Sequence, residues 1–365
     1  MLPGCNNIGR NYNFLASDTF YLKFIDMQAH DIIVIGASAG GLQPLLAITS
    51  QLPANINASI FIVKHVSPEA PENVLMQCLI SDSRMQVRVP IHGEPFSKGC
   101  IYVAPPGRHM ILKDDKILIT QGPRENGMRP SIDALFRSAA ANYGSRVVGI
   151  VLSGLLYDGC AGMDAIKRSG GKGIVQNPDE AAYADMPKNT LDHIPDIDYV
   201  LPSREMARVI LELSVTPIHQ NGGVPRDIIQ EARIAERVLA DIGVADDIGE
   251  RSPFTCPDCG GTLWEMKNGN ILRYRCHTGH TFTANMFIRQ QTDAIEEILW
   301  VAMRMFEERR MMFKRLIDTQ YEKNARENLT SMQEKMIEAE HNIERIRTIL
   351  LSTETNTDTV NTNLN

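Results

Sequence analysis

Residues 31–41, DIIVIGASAGG, constrain this chain more than any other stretch. Four consecutive apolar residues at 32–35 predict a buried strand, and residues 42–52 carry helical spacing. Between them lie Gly36, Ala37, Ser38, Ala39, Gly40 and Gly41. Small residues permit a sharp strand-to-helix turn and a close approach of substrate backbone. Such a turn lifts a hydroxyl out at the carboxyl end of a sheet, which makes Ser38 a candidate nucleophile. A glycine-rich turn in this position also cradles phosphates. Here Ser38 stands where the middle glycine of G-x-G-x-x-G would be, and no Lys-Ser/Thr pair follows for a P-loop.

Strand-like runs recur at 59–63, 87–89, 101–104, 110–112, 117–120, 147–152 and 173–176. Helical stretches fall at 72–80, 131–143, 162–169 and 187–193. The alternation predicts an α/β domain, a doubly wound and mainly parallel sheet. The close-set strands between 87 and 120 are expected as an antiparallel extension of it. Functional groups in such a sheet gather past the carboxyl ends of the strands. His65 follows the second strand and Asp158 follows the run at 147–152. A serine needs an adjacent base at neutral pH, and a carboxylate fixes the imidazole tautomer. The backbone N–H of Ala39 is a candidate oxyanion donor. Singly, a histidine after a strand or an Asp-Gly turn means little. Their shared rim gives them weight.

Five segments in order resemble the catalytic domain of the chemotaxis protein-glutamate methylesterase family (CheB type). They are the turn from Gly36 to Gly41, the stretch around Lys64-His65-Val66, and Ala104-Pro105-Pro106-Gly107-Arg108-His109-Met110. The other two are Arg129-Pro130-Ser131-Ile132-Asp133 and Leu152-Ser153-Gly154-Leu155-Leu156-Tyr157-Asp158-Gly159. The resemblance covers residues 31–213. It implies a triad of Ser38, His65 and Asp158, with Leu155 in place of a methionine in the oxyanion region. It also implies hydrolysis of glutamate γ-methyl esters on methyl-accepting chemotaxis receptors, glutamine deamidation by the same chemistry, and no catalytic cofactor. His109 and Arg129 are expected only to support local carbonyls. Ser67 and Leu156 replace more usual residues, which bears on substrate choice. Family members usually carry a receiver domain of about 120 residues ahead of this one, and residues 1–30 are too few for it. Regulation by phosphorylation in cis is therefore not expected. Met27 is an alternative start, and residues 1–30 are read as an N-terminal extension.

The catalytic domain is expected over 31–214, and a linker and helix over 215–250. That helix should run from Pro225 to about 242 with Ile228, Ile229, Ala232, Ala235, Val238 and Leu239 on one face. Next come Cys256-Pro257-Asp258-Cys259 and Cys276-His277-Thr278-Gly279-His280. C-x-x-C followed by C-x-x-x-H supplies four soft or borderline ligands for tetrahedral zinc. Cys256, Cys259, Cys276 and His280 are the expected set, with His277 as the alternative fourth ligand. A redox C-x-x-C is the second reading. Four protein ligands leave no open position, so a structural Zn2+ in a ribbon at 251–284 is predicted.

Residues 282–351 repeat apolar positions every three or four. These are Ile295, Leu299, Ala302, Met305, Met312, Leu316, Leu329, Met332, Met336, Ile343, Ile346 and Ile349. They predict two helices broken near 324–330, with Ser331 and Glu334 as a capping box. The hairpin, assigned to 285–351, would pack on the ribbon, or else join a homodimer or dock on a helical receptor. The Thr- and Asn-rich residues 352–365 are expected as a disordered tail.

The net charge of −7 argues against nucleic acid and anionic membranes as partners. No apolar run reaches the ~20 residues that span a bilayer. Of seven cysteines, the scattered Cys5, Cys78, Cys100 and Cys160 read as small buried apolar residues, which points to a reducing cytoplasm. Two functional classes remain: an active methylesterase, or a non-catalytic scaffold of a chemotaxis-type signalling complex.

Overall fold

The computed structural model describes residues 28–66, 74–218, 223–237, 242–318 and 326–357. The expectations for Cys5, Met27, Ser67, Val238, Leu239, the start of the helix at 72, and residues 358–365 lie outside the described residues.

In chain order the first unit runs β1 (Ile32–Ala37), α1 (Leu42–Thr49), β2 (Ser59–Lys64), α2 (Val74–Asp82), β3 (Gln86–Arg88), β4 (Glu94–Pro95) and β5 (Cys100–Val103). It continues through β6 (His109–Lys113), β7 (Lys116–Thr120), α3 (Ile132–Tyr143), β8 (Val147–Val151) and α4 (Cys160–Arg168). It closes with β9 (Lys172–Gln176), α5 (Asp185–His193), β10 (Tyr199–Leu201) and α6 (Ser203–Leu213). Seven strands form one parallel sheet in the order β10-β9-β8-β1-β2-β5-β3. Every residue of β1 is buried. Its side chains alternate between two cores, as a strand covered on both faces requires. Ile32 and Val34 join α3 and α4, while Ile33, Ile35 and Ala37 join α1 and α6. The chain moves outward from β1 in both directions. A crevice thus opens beside its carboxyl end, where such sheets bind ligands.

The region from 86 to 120 differs from the sequence expectation. β3 and β5 belong to the parallel sheet. The antiparallel strands form a separate sheet, β4-β7-β6. Met110, Leu112 and Ile117 pack with α3 in the core on that side, and this burial draws the hairpin away from the main sheet.

The second part starts with α7 (Arg226–Arg237) and α8 (Ile242–Ile248). Ile228 and Ala232 are buried as expected, and Ile234 joins them. Four antiparallel strands follow: β11 (Gly249–Thr255), β12 (Thr262–Met266), β13 (Arg273–Cys276) and β14 (Thr281–Thr283). Two long helices end the described chain, α9 (Ala284–Asp318) and α10 (Arg326–Thr357), and they pack as a hairpin with Arg310 3.7 Å from Glu340. Three expectations are corrected here. Phe282 lies in β14, because its ring fills the ribbon core with Leu263 and Tyr274. Ser331 and Glu334 lie inside α10, so they cap nothing. Residues 352–357 are helical rather than a disordered tail. The apolar stripe is buried or half-buried at eight of its twelve positions. Ile295, Met305, Met312 and Ile349 face outward, whereas Ala339, Ile343 and Leu350 are buried. Two helices can cover only one narrow face of each other.

A buried ionic cluster fastens the ribbon to the first unit. Glu231 of α7 accepts from Arg273 Nη1 at 2.8 Å and Arg275 Nη1 at 3.3 Å, and lies 3.4 Å from Arg137 Nη1 of α3. Arg137 Nη2 also donates to both carboxylate oxygens of Glu125. Burial alone would raise the Glu231 pKa, but Arg273, Arg137 and Arg275 together hold it well below the usual carboxylate range. Removing one partner of such a set strands the rest uncompensated. Glu231→Gln is expected to cost about 3–5 kcal/mol, read as a lowered urea midpoint at pH 7. A depressed folded pKa stabilises above the unfolded value of 4.5 and stops doing so as pH falls through the folded value. Wild-type stability should therefore decline below about pH 4.5, and less steeply in the variant. Equal stability of the two proteins at pH 7 would contradict this account.

Candidate active site and metal centre

Ser38 sits at the turn just past β1, His65 just past β2, and Asp158 in the loop after β8. The fold thus brings three residues distant in sequence to one rim. His65 Nδ1 lies 3.3 Å from Ser38 Oγ, and His65 Nε2 lies 2.9 Å from Asp158 Oδ2. Main-chain bonds hold the turn: Ser38 N donates to Ser153 O, His65 N to Ala37 O, and Gly41 N to Ser38 O. Gly40 takes φ +68°, a left-handed conformation that glycine adopts without strain. Gly154 faces the serine so closely that a Cβ there would stand 2.7 Å from Ser38 Cβ. The same Cβ would stand 2.1 Å from Met186 Sδ, so a side chain at 154 would have to push aside Met186 or Ser38.

Asp158 is 3 % exposed and sits at the N-terminus of α3. It accepts from Ser131 Oγ at 2.9 Å, Ile132 N at 2.7 Å and Asp133 N at 3.1 Å. Burial pushes its pKa up. The hydrogen bond and charge of His65, with the Ile132 and Asp133 N–H groups, outweigh burial and leave it below the ordinary value. The carboxylate is therefore ionised at neutral pH. Among the described residues, neither the Ala39 N–H nor the Leu155 N–H donates to a protein acceptor. Both border Ser38, one as its chain neighbour and one next to Gly154. Leu156 takes φ +70°, unusual for a branched side chain. Asn189 Nδ2 holds its carbonyl at 2.7 Å.

His109 and Arg129 serve local structure, as expected. Arg129 Nη1 donates to Gly122 O at 3.0 Å. His109 Nε2 donates to Pro123 O at 2.9 Å, and Ser131 N donates to its Nδ1 at 3.2 Å. Burial holds the His109 pKa low, so the ring is neutral. The sequence reading missed Ser131 and Asp133 as partners of the acid. Asp133 Oδ1 accepts from Gly159 N at 2.9 Å and Gly162 N at 2.6 Å, which fixes the start of α4 behind Asp158. A serine followed two residues later by an aspartate, opening an apolar helix, was the available signal.

The second cluster is Cys256, Cys259, Cys276 and His280, whose ligand atoms all lie within 4.8 Å of one another. Cys259 Sγ is 3.8 Å from Cys276 Sγ, and Cys276 Sγ is 3.5 Å from His280 Nδ1. Zinc bonds of ~2.3 Å to sulfur and ~2.0 Å to nitrogen give tetrahedral edges of about 3.8 and 3.5 Å. The donor set therefore fits such an ion. His280 N also donates to Cys276 Sγ at 3.3 Å, and Asp258 Oδ2 stands 3.7 Å from His280 Nε2, on the ring's far side from Cys276. His277 is not one of the four residues whose ligand atoms converge, and its ring lies 6.4 Å from that of Trp264. Of the scattered cysteines, Cys100 and Cys160 are buried and Cys78 is half-buried, all as free thiols.

A serine, an imidazole and a buried carboxylate in one hydrogen-bonded line, at the switch point of a doubly wound sheet, make the arrangement of a serine hydrolase. The chain belongs to the CheB methylesterase family, whose model matches residues 33–210. A similar protein of Leptospira interrogans, a putative protein-glutamate methylesterase/protein-glutamine glutaminase, is 32 % identical over 192 residues, covering 98 % of that protein and 52 % of this chain. Protein-glutamate methylesterase/protein-glutamine glutaminase 2 of Anaeromyxobacter dehalogenans is 35 % identical over 184 residues. That match spans 53 % of the relative and 50 % of this chain. The CheB methylesterase catalytic domain of Thermotoga maritima, a solved structure, is 30 % identical, with 98 % of it and 50 % of this chain covered and a TM-score of 0.48. Among the described residues no helix is long and apolar enough to cross a membrane.

Proposed function

We propose that this chain hydrolyses glutamate γ-methyl esters on methyl-accepting chemotaxis receptors, releasing glutamate and methanol. The hydrogen-bonded line Ser38–His65–Asp158, within a member of the CheB methylesterase family, carries this reading. Ser38 Oγ attacks the ester carbonyl as His65 Nδ1 takes its proton. The N–H groups of Ala39 and Leu155 receive the oxyanion. The proton returns from His65 to the departing methanol, and water then cleaves the acyl-enzyme by the same route in reverse. An amide in place of the ester would give glutamine deamidation with ammonia leaving. No step requires a cofactor, and the Cys256–Cys259–Cys276–His280 cluster is read as a structural zinc site. The 31–214 unit is the catalytic domain in this reading, and the ribbon with its hairpin is a separate module.

Methanol release from methylated receptor is the test, and a protein that binds methylated receptor but releases none would favour a scaffold. Asp158→Asn should lower kcat by about 10⁴-fold, since the amide holds the wrong imidazole tautomer. With its NH2 toward His65 the amide still accepts from Ser131 Oγ and Asp133 N at the Oδ1 position, while Ile132 N loses its acceptor, so thermal unfolding should show a folded protein with a lowered midpoint. A kcat within tenfold of wild type would remove Asp158 from the triad.

A further inference from the structure

The ribbon reaches the acid end of the triad through one side chain. Asn126 is 3 % exposed and lies in the loop before α3. Its φ is +50°, a left-handed conformation that asparagine tolerates better than most residues. Three of its polar atoms pair at this junction. Its backbone N donates to Thr281 O at 2.7 Å, and its Oδ1 accepts from Thr283 N at 3.0 Å, both in β14 of the ribbon. Its Nδ2 donates to Asp133 Oδ2 at 2.8 Å. Asp133 in turn holds Gly159 N and Gly162 N on its other oxygen, and its own N–H binds Asp158 Oδ1. Thr281 follows His280 of the Cys3His cluster directly. The cluster is thus joined to β14 through the chain, and from β14 a run of hydrogen bonds reaches Asn126, Asp133, the Asp158 loop and His65.

We infer that Asn126 is a positioning residue that couples the ribbon to the Asp158 carboxylate, so that an intact ribbon sets the reactivity of Ser38. The inference rests on the reading of Ser38 as nucleophile. Its physical basis is the cost of leaving buried partners unmatched. Without the Asn126 amide, Thr283 N and Asp133 Oδ2 both lose a partner away from water. Asp133 is already pushed toward its neutral form by burial and by Asp158. A neutral or shifted Asp133 holds Gly159 and Gly162 less firmly. The Asp158 loop then drifts relative to His65, and a displacement on the order of 1 Å costs about 100-fold in rate. The esterase unit would in this way sense whether the ribbon is folded.

The experiment labels Ser38 of the full chain with a fluorophosphonate and separates the inactivation rate from the binding constant. Asn126→Gly is the informative variant, because glycine keeps the left-handed backbone and removes only the amide. The inactivation rate should fall about 10- to 100-fold with little change in binding. Amide hydrogen exchange should quicken over residues 131–133 and 158–162. Chelation of the wild-type chain should produce the same two changes and add little to the variant, because both act on one route. Unchanged labelling of both the variant and the chelated wild type would overturn the coupling. Should Asn126→Gly fail to fold, the chelation arm decides alone. If the wild-type protein itself is not labelled at Ser38, the nucleophile reading falls, and the coupling with it.

Discussion

Ser38→Ala is expected to lower ester hydrolysis by roughly four to six orders of magnitude and to leave the fold unchanged. The two halves of that expectation have separate causes. The hydroxyl is the only protein atom in the proposed mechanism that bonds to the substrate carbonyl, so its loss leaves no protein nucleophile. Residual acceleration would come from the Ala39 and Leu155 N–H groups and from substrate binding. The fold does not depend on the hydroxyl. Ser38 is tied to Ser153 and Gly41 through its main chain, and among the described residues its side chain bonds only to His65. Alanine also fits beside Gly154, where the close neighbour is the existing Cβ. Methanol release and the melting midpoint measured on one sample check both halves. Activity within a hundredfold of wild type, with the fold intact, would mean that Ser38 is not the attacking group.

The legible part of this protein was the part whose chemistry is local. A run of small residues after an apolar strand has few uses, so the Ser38 turn stood out. Cysteine spacing exposed the metal-type cluster for the same reason: four soft ligands at ribbon spacing have few other arrangements. His65 and Asp158 were weaker signals taken singly, and only strand order made them neighbours. What stayed hidden needs partners from elsewhere in the chain. Ser131, Asp133 and Asn126 look like ordinary turn and cap residues until α3 is set beneath the Asp158 loop. Arg273 and Arg275 sit in a four-residue strand and read as solvated charges. Glu231 and Glu125 bury them. The hairpin misled in the opposite direction. Met305 and Met312 keep the helical period, yet the facing helix is too narrow to cover them.

Metal removal is expected to unfold the ribbon while the catalytic unit keeps its two cores. The ribbon core consists of Cys256, Leu263, Tyr274, Cys276, Phe282 and Phe287. Two of these six are members of the metal-type cluster, so ligand geometry and core packing are one problem. A module this small buries too little apolar surface to hold four strands unaided. A structural zinc typically contributes about 10–16 kcal/mol of apparent binding energy, which exceeds what these few side chains can supply. The two cores on either side of the parallel sheet draw most of their residues from before residue 214 and do not include the cluster. Their unfolding should remain a separate, later event. The two tryptophans allow the events to be told apart. Trp264 lies 4 % exposed in β12, with its indole N–H on Asp246 at 2.8 Å, whereas Trp300 is half exposed on α9. Chelation should shift emission to the red through Trp264 and leave most far-ultraviolet dichroism in place. In Trp264→Phe that shift should vanish. Stoichiometric zinc should be found in the purified chain, and re-addition should reverse the change with release of thiol protons. A chain purified without zinc whose Trp264 emission ignores both chelator and added metal would show that the cysteines hold the ribbon without an ion.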